Sequence, residues 1–128
     1  MRRILLLLAA LTLFAATAFA QDPVKVDAKH YKVESENAKI RILRIHYGPH
    51  EKSPMHEHPD SVAVFLSDGH SKFTLPDGKT QEESFKAGDT LFTPAGKHAP
   101  ENLGDKPFDL ILVELKGKST GNKSGTSK

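Results

Sequence analysis

Between residues 30 and 115 the apolar side chains recur at every second position, not at the 3.6-residue spacing of a buried helical stripe. Lys39-Ile40-Arg41-Ile42 alternates, Leu43 breaks step, and Ile45 and Tyr47 resume the alternation. A one-residue slip of this kind predicts a bulge or a change of face. Val62-Ala63-Val64-Phe65-Leu66, Lys72-Phe73-Thr74-Leu75, Glu83-Ser84-Phe85, Thr90-Leu91-Phe92-Thr93 and Asp109-Leu110-Ile111-Leu112-Val113-Glu114 read as further strands. Ser67-Asp68-Gly69 and Pro76-Asp77-Gly78-Lys79 separate them, since proline presets φ and glycine permits positive φ. About seven to nine short strands, with turn signals roughly every 8–12 residues, predict an all-β antiparallel sandwich or barrel. A parallel α/β fold is excluded, because no segment offers the crossover helices that parallel strands need. Leu110 to Val113 is continuously apolar, which predicts burial on both faces: a barrel interior on one side, a neighbouring sheet or subunit on the other.

The 128 residues suffice for one core, and the chain has no cysteine, so disulfides, thiolate metal sites, cysteine nucleophiles and a lipoprotein anchor are excluded. Arg2-Arg3, the run from Ile4 to Leu13 that is apolar but for Thr12, and the small-x-small triplet Ala18-Phe19-Ala20 predict a signal peptide over residues 1–20, cleaved ahead of Gln21, the alternative being an uncleaved N-terminal anchor. The expected location is periplasmic or secreted, with no stable membrane span once the leader is removed. Residues 21–116 form the expected folded domain. Residues 117–128 carry no large apolar side chain and read as a disordered basic tail. Residues 21–115 hold 12 basic against 16 acidic residues. A groove for nucleic-acid phosphates, which needs clustered Lys and Arg on the folded domain, is therefore not expected.

Seven histidines are present, and their spacing matters more than their number. In His56-Glu57-His58 the two imidazoles stand at i and i+2, on one face of a strand. On an exposed edge this alternation would only decorate the surface. On an interior face both rings would point into one volume and could share a metal ion. His98, after the turn Pro94-Ala95-Gly96, is the expected third imidazole, completing a three-nitrogen face with positions left open for water or substrate.

The residues around these histidines resemble the cupin family. Gly48, His56, His58 and Gly69 match its first signature, and Gly88, Pro94, Gly96, His98 and Asn102 its second; the resemblance spans about residues 38–115. The chain departs from the pattern at three points. The glutamate position of the first signature falls on Val62, and the spacer from Gly48 to His56 is two residues longer than usual. Only Lys97 separates Gly96 from His98, where the family has two residues. The missing residue would flip His98 outward or be absorbed by a shortened turn, and the retained spacing to Asn102 favours the turn.

The resemblance implies a double-stranded β-helix, a cupin-type jelly-roll barrel in a single domain, with His56, His58 and His98 as metal ligands and no carboxylate among them. Fe, Mn, Zn, Cu and Ni all accept such a site, whose three neutral ligands leave the ion's full charge for a small anionic or oxygen-rich molecule. His50 and Glu101 are the expected supporting or substitute groups, ahead of Glu51, Glu57 and Asp60; Val62, Val64 and Leu66 share parity and are expected to line a dry pocket. His30, His46 and His70 read as packing or surface residues. Tri-histidine cupins include iron-dependent oxygenases, and others isomerise or hydrolyse; the alternative is a non-catalytic metal or small-ligand binding module. A homodimer is the implied assembly, since single cupins resemble half of a larger paired unit.

Overall fold

A computed structural model describes residues 21–117. The leader expected at 1–20 and all of the expected tail except Gly117 lie outside the described residues. After one helical turn, α1 (Pro23–Val26), nine strands follow: β1 (Tyr31–Glu36), β2 (Ile40–Tyr47), β3 (His56–His58), β4 (Ser61–Phe65), β5 (Gly69–Thr74), β6 (Thr80–Phe85), β7 (Thr90–Thr93), β8 (Gly96–Asn102) and β9 (Phe108–Leu115). They build a five-stranded sheet in the order β1-β2-β9-β4-β7 and a four-stranded sheet in the order β3-β8-β5-β6. Every pairing is antiparallel. The helical turn is dictated locally: Asp22 caps it by accepting from Val24 N, and Pro23 occupies the first turn, where its missing N–H costs nothing. Among the described residues no helix is long and apolar enough to cross a membrane.

The core lies between the sheets. Leu43, Ile45 and Tyr47 from β2, Ala63 and Phe65 from β4, and Phe108, Leu110 and Leu112 from β9 meet Phe85 from β6. Phe65 stacks on Phe85 at 4.1 Å between ring centroids, and Phe108 meets Phe85 edge-on at 5.1 Å. The slip at Leu43 proves to be a change of face: Ile40 and Ile42 look outward, whereas Leu43, Ile45 and Tyr47 look inward, and β2 pairs with β9 over eight consecutive positions. The irregularity sits instead in the partner strand β1, between Val33 and Ser35.

One parity assignment is corrected. Ser61, Ala63 and Phe65 face the interior of β4, so Val62 and Val64 lie on the outer face and Leu66 is 46% exposed. The cause is the turn at Pro59-Asp60, which carries the chain from the smaller sheet to the larger one. Side-chain parity counted from His58 does not survive that change of sheet. Ile111 and Val113 likewise face outward, half-buried, while Leu110 and Leu112 are buried inside.

Candidate metal centre

β3 and β8 place the three histidines. His56 is the direct cross-strand partner of His98, and His58, two residues on, shares the face of His56. The ring centroids lie 4.9 Å apart for His56–His58 and His56–His98, and 5.2 Å for His58–His98. One nitrogen from each ring comes within 4.8 Å of the others. Nitrogens bound at about 2.1 Å to a common ion stand roughly 3–3.5 Å apart, so small side-chain rotations close the triad. The short turn before His98 is pinned from outside, because Asp60 accepts a hydrogen bond from Ala95 N at 2.7 Å.

The hydrogen bonds select the ligating tautomer. His56 Nδ1 lies 2.9 Å from the carbonyl of Pro54, which can only accept, so the ring proton sits on Nδ1. His58 Nδ1 lies 2.7 Å from Glu114 Oε2, and a carboxylate again demands the proton there. Both Nε2 atoms are thereby left as lone-pair donors. The Nε2 atoms of His56 and His98 are buried and have no hydrogen-bond partner. Unpartnered buried nitrogens are costly, and two converging on one volume are what a bound cation would satisfy.

Burial, reinforced by the neighbouring His58 imidazole, holds His56 down at about 4; burial together with both neighbouring imidazoles holds His98 at about 3. Both rings are therefore neutral near pH 7, the state a ligand needs. Tyr31 packs its ring edge against His56 at 4.8 Å and is tilted against His58 at 5.7 Å, while Phe73 stacks on His98 at 5.2 Å. The hydroxyls of Tyr31 and Tyr47 bond each other at 2.6 Å, and burial first of all pushes both phenols up.

Glu114 is the main residue that sequence reading missed. It is 1% exposed and accepts from His58 through Oε2 and from Arg41 Nε through Oε1, at 2.6 Å. Burial opposes its charge, but the bonds from His58 and Arg41 prevail and hold the carboxyl below the usual range. Arg41 in turn directs Nη1 and Nη2 to Asp22 at 2.8 and 3.2 Å. Burial alone would lower the guanidinium, yet the two carboxylates raise it. A usable signal existed: Glu114 follows Phe108, Leu110 and Leu112 at inward parity.

The other proposed groups stand elsewhere. His50 is exposed, with φ of 57°, and pairs with Asp105 at 2.7 Å. Glu101, three residues from His98, faces the other side of β8 and pairs with Lys72 at 3.1 Å. Glu51 accepts from Gly48 N at 2.7 Å and pairs with Lys29 and His30, and Glu57 points outward opposite Lys97. His30 is buried between Asp27 and Glu51 and stacks on Tyr47 at 4.3 Å, whereas His46 and His70 are exposed and pair with Asp109 and Glu82. Asn102 is structural: it donates to the carbonyls of Gly48 and Lys106 and accepts from Gly104 N.

Beside His58 and His98 opens a cavity of about 430 Å³. Its inner walls are apolar, with Ile45, Ala63, Phe65, Phe73, Leu110 and Leu112 from the two sheets, and Glu83 and Lys97 stand at its exposed rim.

The cupin domain family profile matches residues 43–114, more than half of the chain. No curated protein matches the sequence. Among solved structures, a cupin domain from Bordetella pertussis Tohama I is 22% identical, with 68% of this chain and 92% of that one covered at a TM-score of 0.63. An uncharacterized conserved protein with a double-stranded β-helix domain from Klebsiella pneumoniae is 24% identical, with coverage of 69% and 76% and a TM-score of 0.55. An RmlC-like cupin from Methanocaldococcus jannaschii is 20% identical, with coverage of 70% and 83% and a TM-score of 0.52. These likenesses show the double-stranded β-helix fold and nothing of ligand or reaction. With that fold, the family match and three histidines close enough to hold an ion, the chain belongs to the cupin superfamily.

Proposed function

We propose that this is an exported metal-binding cupin in which Nε2 of His56, His58 and His98 hold one divalent ion, and the adjoining cavity receives a small molecule with an anionic or oxygen-rich end. The observation that carries the reading is the pair of buried, unpartnered Nε2 atoms on His56 and His98. When bound, the ion supplies an uncompensated double positive charge, and with a redox-active metal the electrons for oxygenase-type chemistry. The chain's own residues do the rest. Pro54 and Glu114 fix the tautomers, Tyr31 and Phe73 hold the rings, and the apolar walls exclude water around the ligand's remaining atoms.

A specific observation favours the non-catalytic binding reading over acid–base catalysis. Among the described residues lining the inner cavity, the hydroxyls are those of Tyr31, Tyr47, Ser71 and Thr93, of which Ser71 donates to Glu101 O and Thr93 to Ser61 O, while Glu83 and Lys97 stand at the exposed rim. The two phenols bond each other and burial pushes both up, so that neither gives up its proton readily, and Glu114 is engaged by His58 and Arg41.

Elemental analysis of protein purified without tag or chelator tests the reading, beside the His56→Ala/His58→Ala variant. About one equivalent of Fe, Mn, Zn, Cu or Ni is expected in the wild type and none in the variant, with an unchanged far-UV spectrum. Absence of metal from the wild type, even after reconstitution, overturns it. N-terminal sequencing tests export: Gln21 as first residue supports it, and a retained Met1 overturns it.

A further inference from the structure

We propose that Asp22 is a positioning residue of the metal centre, acting through Arg41 and Glu114 on His58, so that the N-terminal segment is a working part of the site. This rests on the metal reading above. The chain of contacts is short and unbroken: Asp22 to Arg41 at 2.8 and 3.2 Å, Arg41 to Glu114 at 2.6 Å, Glu114 to His58 at 2.7 Å. Its inner members are buried, with Glu114 at 1% and His58 at 6% exposure. Asp22 itself is held in place by its bond from Val24 N, and α1, whose Pro23 is fully buried, packs against β3, the strand that carries His56 and His58.

The division of donors in this chain gives Asp22 its role. Glu114 has two carboxylate oxygens and two donors to serve, Arg41 Nε and His58 Nδ1–H. Arg41 carries further N–H groups, and a guanidinium left to itself grips a carboxylate with two parallel bonds. Asp22 takes one N–H from each of Nη1 and Nη2 end-on, which fixes the plane and direction of the guanidinium, so that Nε meets Oε1 of Glu114 while Oε2 stays with His58. Without the Asp22 charge the guanidinium is free to turn and to bring one of its remaining N–H groups onto Oε2 beside Nε on Oε1. His58 then loses the bond that holds its proton on Nδ1 and its Nε2 lone pair toward the ion.

Asp22→Asn isolates this role, because asparagine caps a helical turn as well as aspartate but presents an amide N–H₂ to one arm of Arg41. Zinc titration of the full chain compares wild type, Asp22→Asn and Glu114→Gln, and the histidine ¹H–¹⁵N spectrum of each metal-free protein reports the His58 Nδ1–H. The expected result is a loss of zinc affinity of about 10- to 100-fold for Glu114→Gln and about three- to tenfold for Asp22→Asn. In Asp22→Asn the His58 Nδ1–H resonance weakens or shifts. A merely structural Asp22 would lower the thermal midpoint and leave both zinc affinity and that resonance unchanged, which overturns the proposal. Failure of the metal reading is separately visible, as absence of zinc uptake by the wild type. The relay is then judged on the resonance alone: perturbation in Asp22→Asn supports it, and persistence overturns it.

Discussion

Acidifying the metal-free protein between pH 7 and pH 5 tests how the imidazoles are buried. In the unfolded chain a histidine titrates near pH 6.5, whereas burial holds His56 at about 4 and His98 at about 3 in the fold. A lowered histidine pKa means that the neutral form is the one the fold accepts. Its stability contribution is complete above the unfolded value and is lost as pH falls below about 6.5, because the unfolded chain then takes up protons that the folded one refuses. The loss continues until the folded rings themselves titrate, near 4 and 3. Integrated from pH 7 to pH 5, each ring forfeits roughly 2 kcal/mol and the pair roughly 4 kcal/mol, a large part of the roughly 5–15 kcal/mol that stabilises an ordinary domain. Thermal melts of chelator-treated protein across this window should show the midpoint falling by about 15–30 °C, since a domain of this size loses about 4–8 °C per kcal/mol. His98→Phe, which keeps a ring against Phe73, should remove about half of the slope. A midpoint that stays flat from pH 7 to pH 5 would refute the claim that these rings are buried neutral.

Three further outcomes follow from particular contacts. Ala63 lines the cavity beside His58 and Val62 points outward, so Ala63→Glu should tighten zinc binding by about tenfold, the worth of a charged contact, and Val62→Glu should leave it unchanged in the same titration. Asn102→Ala removes bonds to Gly48, Gly104 and Lys106 and should cost about 2–4 kcal/mol in urea denaturation while metal stoichiometry stays the same. Gly69→Ala would set a Cβ 2.4 Å from the ring of Phe85, and should destabilise by about 1–3 kcal/mol in the same assay.

The fold class and the triad were readable because their signals are local or regular. Alternation marked the strands, and i, i+2 spacing put His56 and His58 on one face whatever the tertiary context. What failed to read was non-local. The inward residues of β4 depend on a change of sheet at Pro59-Asp60, which no strand-by-strand count detects. Glu114 looks like a solvated strand end until it is seen that Arg41 and His58, 73 and 56 residues away in sequence, make its burial affordable. His50 and Glu101 lay near the histidines in sequence, but a left-handed backbone at His50 and odd spacing from His98 aim them away.

The small side chain at position 63 also bears on how such a site changes over generations. Every alanine codon becomes an aspartate or glutamate codon by substitution of its second base, with at most that single event. A residue that already faces the cavity beside His58 can therefore gain a carboxylate without any shift of strand register. At Val62 the same genetic step would place the charge on the outer face of the sheet. On the proposed metal reading, the charge of the ligand set is thus separated from its present state by one nucleotide at one inward position.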